Sequence, residues 1–105
     1  MKKTLFAAAL LLAALAPAAS AKTVQQMRNE FVSACAQSAT EKGSSLTPQM
    51  ARTLCGCTFD ETAKQYPAAQ WKRTLDQYDR TGNDPVFERR MHASTEACVR
   101  RHVRR

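Results

Sequence analysis

The sequence predicts an all-α fold: a small disulfide-braced bundle of three longer helices and one short helix, preceded by a cleaved signal peptide. Three observations predict it. Apolar residues recur at three- and four-residue spacing through most of the chain, and no period-two run of useful length interrupts them. Helix-start signatures stand at Thr23–Gln26, Thr47–Pro48 and Asp84–Pro85. Four cysteines, Cys35, Cys55, Cys57 and Cys98, lie in a chain whose hydrophobic core alone is marginal.

The export segment comes first. Lys2 and Lys3 make a positive start, Leu5 to Ala16 is unbroken apolar sequence, and Pro17 precedes Ala19-Ser20-Ala21, with small residues where a signal peptidase reads. The run is shorter than the roughly 20 residues that span a bilayer. It has no polar face, which argues against an amphipathic surface helix. Cleavage after Ala21 is expected, giving residues 1–21 as signal peptide and residues 22–105 as a single helical domain with a basic C-terminal helix, not membrane-spanning after cleavage. The expected location is the periplasm or the cell exterior. The short lysine start and compact apolar run are of bacterial type and make the Gram-negative periplasm the default.

The first helix opens on the capping-box pattern of Thr23 and Gln26. Val24, Met27, Phe31, Cys35 and Ser38 form its apolar stripe, Arg28 intrudes at the edge, and Gly43 should end it. Thr47 caps the second helix, with Pro48 in the first helical position, and Pro67 should stop it near Tyr66. Its apolar residues fall in two adjoining rows, Met50, Leu54 and Cys57 beside Ala51, Cys55, Phe59 and Tyr66, so it should pack against two neighbours. A third, short helix holds Trp71, Leu75 and Tyr78 before the Thr81-Gly82-Asn83 turn. Trp71 and Leu75 read as core, and the two tyrosines as either core or partner contacts. Asp84-Pro85 opens the fourth helix, where Phe87, Met91, Ser94, Cys98 and His102 share one side.

Export and an even cysteine count read as a disulfide framework. Cys55 and Cys57 differ by about 200° around a helix, poorly placed to bridge each other and well placed to bridge two different helices. Cys35–Cys55 with Cys57–Cys98 is the favoured pairing, and the crossed pairing Cys35–Cys57 with Cys55–Cys98 is the competitor. The alternative use of these residues is soft-metal or thiol chemistry. Cys55, Cys57, Cys98 and His102 could ligate copper, with Met50 and Met91 as further soft donors, or the C-x-C cysteines could cycle between thiol and disulfide.

The charge distribution points to partners. Lys22 to Glu88 holds eight basic and eight acidic residues, whereas Arg89 to the end holds six arginines and one glutamate. On a helical wheel Arg89, Arg90, Arg100, Arg101 and Arg104 fall within an arc of roughly 120°. Clustered guanidinium groups can pair bidentately with phosphates and carboxylates. The same residues also suit a solvated helix end through the dipole. The expected partner is an acidic protein surface or an anionic envelope component. Nucleic acid is disfavoured, because no aromatic residues interleave with the arginines.

Enzyme chemistry is not expected. Asp60-Glu61 and Asp76/Asp79 lie on polar faces among basic residues and read as salt-bridge partners, and an 84-residue bundle offers little room for a cleft. No cofactor is implied. The expected function is a non-catalytic exported binding or accessory protein. The alternatives are a periplasmic thiol-redox or copper-handling protein and a secreted envelope-perturbing factor acting through the basic helix.

Overall fold

Backbone N–H groups at a helix start need acceptors, and in this chain side chains supply them at three of four starts. In the computed structural model, which describes residues 22–41 and 43–103, these caps open α1 (Val24–Ala39), α2 (Pro48–Ala63) and α4 (Pro85–His102), with α3 (Ala68–Thr81) between the last two. No strand occurs among the described residues. The expected signal peptide, residues 1–21, lies outside them, as does Arg104.

At α1 the Gln26 N–H donates to Thr23 Oγ1 at 3.0 Å and the Thr23 N–H donates to Gln26 Oε1 at 2.8 Å, completing the capping box. Thr47 Oγ1 accepts from the Met50 N–H at 3.0 Å, and Asp84 Oδ1 accepts from the Phe87 N–H at 3.1 Å. Two helices end earlier than their sequence signals. α1 stops at Ala39, where the Thr40 hydroxyl donates to the Ala36 carbonyl at 3.0 Å, and Gly43 stands in the loop with φ 76°. α2 stops at Ala63, because Gln65 and Tyr66 turn the chain through N–H bonds to the Thr62 and Ala63 carbonyls at 3.0 and 3.2 Å before Pro67.

The expectation of a short third helix is corrected. α3 has 14 residues, close to the 16 of α1 and α2. It starts directly after Pro67, extended at φ −60° and ψ 149°, whose ring carries no acceptor to cap the helix. It closes on Gly82 in the left-handed region at φ 63°, whose N–H donates to the Tyr78 carbonyl at 2.8 Å. Its first turn, Ala68-Ala69-Gln70, is exposed, so no apolar spacing announces it.

α2 is central, with α1 packed antiparallel on one side and α4 antiparallel on the other. This is the two-neighbour role its wide apolar arc requires. The larger core cluster is Met27, Phe59, Trp71, Leu75 and Phe87. Trp71 lies at its centre, with ring centroids 5.2 Å from Phe59, 5.3 Å from Tyr66 and 5.9 Å from Phe87. Both tyrosines therefore border the core, half-buried. The second cluster is Ala36, Ala51 and Cys55, small side chains where α1 approaches α2. Ala36 replaces the expected Ser38 on the buried side of α1, since Ser38 is exposed.

Between α2 and α4 the contact is a seam of buried hydroxyls. The Thr62 side chain is fully buried; its hydroxyl donates to the Thr58 carbonyl at 2.8 Å and lies 3.0 Å from Ser94 Oγ. Thr58 Oγ1 lies 3.2 Å from Thr95 Oγ1. Thr62→Val keeps the volume and leaves the buried Ser94 hydroxyl with only the long contact from Gln65 Nε2 at 3.4 Å, so it should cost about 1 kcal/mol in urea denaturation. Thr62→Val with Ser94→Ala should cost less than the sum of the single changes, because both polar groups are then gone.

Candidate functional site

The C-x-C segment sets the geometry of the centre. Its two cysteines face opposite sides of α2, and the bridges formed are Cys35–Cys55 and Cys57–Cys98, each with Cα atoms 6.0 Å apart. This is the favoured pairing. α2 is therefore tied covalently to α1 through Cys55 and to α4 through Cys57. Gly56 between them is buried, and a Cβ there would stand 2.8 Å from Arg28 Nη2. The missing side chain lets Arg28 lie across α2 and hold Asp60 bidentately, with Nε to Oδ1 and Nη2 to Oδ2 both at 2.9 Å. That contact explains a cation at the edge of an apolar stripe. The Arg28 guanidinium is held above its usual range, first by this hydrogen bond.

The soft-metal set is not assembled as thiolates. Cys55, Cys57 and Cys98 are all in bridges, and His102 is exposed rather than at the core edge. Val99, Arg100, Arg101 and His102 are all exposed, so α4 has left the core one turn before it ends. Among the described residues no three His, Cys, Asp or Glu side chains are grouped to hold a metal ion.

The arginines of α4 separate into two kinds. Arg90 and Arg101 flank the buried face and are engaged. The Arg90 guanidinium lies over the Tyr66 ring, 4.8 Å from its centroid. Arg101 Nη1 lies 3.4 Å from Glu61 Oε2 and 3.6 Å from Cys57 Sγ. Glu61 also accepts from Lys64 at 2.9 Å; that bond first, and Arg101 after it, hold the Glu61 carboxyl below the usual carboxylate range. Arg89 and Arg100 lie on the outer face, exposed, and among the described residues no carboxylate stands within 4.0 Å of either. Exposed Val86 and Val99 lie near them on the same helix.

The remaining carboxylates act as the sequence suggested. Asp60 pairs with Arg28 at 2.9 Å, Asp76 with Lys72 at 2.7 Å and Asp79 with Lys22 at 3.5 Å. One feature escaped sequence reasoning. It is an apolar cavity of about 250 Å³, small beside the roughly 300–1,000 Å³ of most ligand pockets. The rings of Phe31, Phe59, Trp71 and Phe87 line it, and the exposed Glu30 and Asp79 stand at its mouth. The signal in the sequence was five aromatic residues, Phe31, Phe59, Trp71, Tyr78 and Phe87, spread over four helices.

Among the described residues no helix is long and apolar enough to cross a membrane. Comparison of the chain with protein-family models, with curated proteins and with solved structures finds no match.

Proposed function

We propose that the protein is a non-catalytic binding or accessory protein, exported to the periplasm, that contacts an anionic or acidic envelope partner through the outer face of α4. The observation that carries this reading is the pair Arg89 and Arg100. They stand eleven residues apart, about three turns or roughly 16 Å along the axis, on the side of α4 turned away from α2. Two guanidinium groups without internal partners keep all their donors for an external acceptor. The neighbouring Arg90 and Arg101 are already spent on Tyr66 and Glu61. Two disulfides and a seam of buried hydroxyls make the scaffold under this face rigid, which lowers the ordering cost of binding.

Contact would begin by electrostatic steering and finish by guanidinium pairing, so it weakens as salt rises. Each arginine near an anionic surface contributes about 1 kcal/mol. Arg89→Gln with Arg100→Gln should therefore lower affinity for anionic vesicles roughly 30-fold, read as salt-dependent retention. Arg28→Gln, which removes one charge from the opposite flank of the molecule, should change retention little. Retention of the double variant at the wild-type level would refute the reading.

One observation favours a second reading, as a thiol-redox or copper-handling protein. The Arg101 guanidinium beside Cys57 Sγ would depress the pKa of that thiol once its bridge is reduced. Free thiols in the exported protein would give this reading precedence.

A further inference from the structure

We propose that the apolar cavity is a binding site for a small amphiphilic amine, with an aryl or short alkyl group seated among the rings and the ammonium held between Glu30 and Asp79. This site is separate from the arginine face of α4 and does not rest on its function.

The cavity interior selects for an apolar group of limited size. Its walls include five aromatic residues, and its volume is about 250 Å³. A dry cavity of about 150 Å³ accommodates benzene. The present one therefore takes a ring with a short side arm. The mouth selects for positive charge. Glu30 comes from α1 and Asp79 from α3, and the two converge on a single ammonium in this structure, that of Lys22. Its Nζ lies 2.9 Å from Glu30 Oε1 and 3.5 Å from Asp79 Oδ2. The chain itself thus shows that one alkylammonium satisfies both carboxylates at this point. The Lys22 ammonium is held above its usual range, first by its hydrogen bond to Glu30, in keeping with a mouth that favours cations.

The same mouth disfavours other ligand classes. A carboxylic acid of equal shape would meet two carboxylates. A neutral ligand would leave the Lys22 pairs undisturbed and gain only the rings. Aromatic faces add attraction for a cation and none for an anion. Lys22 is a weak competitor. Exposed pairs of this kind are worth little, and both carboxylate partners are more than half exposed. An ammonium carried on a group that fills the cavity would displace it, since the incoming molecule adds apolar burial that Lys22 lacks.

The test is a titration of the oxidised protein with 2-phenylethylamine, followed by the emission of Trp71, the single tryptophan and one wall of the cavity. 2-Phenylethanol and phenylacetate serve as neutral and anionic comparators. For a ligand of about nine heavy atoms the affinity should fall in the millimolar range. With Lys22→Gln, which frees both carboxylates, the amine should bind roughly threefold tighter than the alcohol, as an exposed ion pair allows, and phenylacetate weakest of the three. Lys22→Gln should tighten amine binding. Adding Glu30→Gln and Asp79→Asn to Lys22→Gln should bring the amine down to the level of the alcohol. All three positions are at the surface, and far-UV circular dichroism confirms that each variant is folded. Equal binding of amine and alcohol in Lys22→Gln overturns the proposal. So does the absence of saturable change with the amine in both the wild type and Lys22→Gln, which would make the cavity a packing gap.

Discussion

Reduction of both bridges should unfold the protein or leave it a loosened helical state with a much lower melting temperature. The bridges close loops with sequence separations of 20 and 41 residues. In the chain-entropy treatment these contribute about 3 and about 4 kcal/mol. A small domain has only about 5–15 kcal/mol in total, so the two together are comparable with the whole stability. Losing the longer bridge alone, through Cys57→Ala with Cys98→Ala, should lower the melting temperature by about 20 °C, at roughly 5 °C per kcal/mol for a domain of this size. Thermal melts by circular dichroism with and without reductant measure this directly. An unchanged melt would mean that side-chain packing alone holds the helices. Alkylation followed by mass measurement supplies the companion result: four modified cysteines only after reduction for a structural framework, and free thiols beforehand for a thiol-active protein.

Trp71→Ala should be the most damaging single substitution in the core. Truncating a buried aromatic to Ala costs about 3–5 kcal/mol. Trp71 is 6% exposed and joins α3 to the other helices through Phe59 and Phe87. No disulfide anchors α3, so its attachment rests on this ring and on Leu75 and Tyr78. One side of the indole already borders the 250 Å³ cavity, so fewer contacts are lost there and the cost should lie near 3 kcal/mol. Chemical denaturation measures the loss. The two bridges should preserve α1, α2 and α4, so the helical signal before denaturation should fall by no more than the α3 share. A cost below about 1 kcal/mol, the range of surface changes and single weak bonds, would show that α3 is held by something other than its aromatic face.

Much of this architecture was legible because it depends on local chemistry. Thr23 with Gln26, Thr47 with Pro48 and Asp84 with Pro85 act within one helical turn, so the residues that make the bonds are adjacent in sequence. Rotation along a helix places Cys55 and Cys57 on opposite sides and so argued against a bridge between them, but it left the crossed pairing open, which only the packing of α1 and α4 on α2 decides. What escaped depends on contacts made elsewhere. The first turn of α3 is exposed Ala68-Ala69-Gln70, which faces water and so carries no periodic trace. The seam of Thr58, Thr62 and Ser94 reads as polar in sequence and is buried because each hydroxyl finds a partner across the helix interface or on its own helix. The arginine stripe was legible as a stripe. Its division into engaged and outward members depends on where Tyr66 and Glu61 happen to stand.

The placement of both bridges on α2 also governs what happens when the backbone is cut. Residues 35–55 and 57–98 each lie inside a covalent ring, and the only stretch between the rings is Gly56, buried in the middle of a helix. The exposed turns that a protease would reach first, around Gly43–Thr47 and Gly82–Asn83, both fall within rings. A single cleavage in either turn would open a ring without releasing a fragment. The pieces stay at high local concentration, and damage to one loop is survivable as long as the sulfurs remain oxidised.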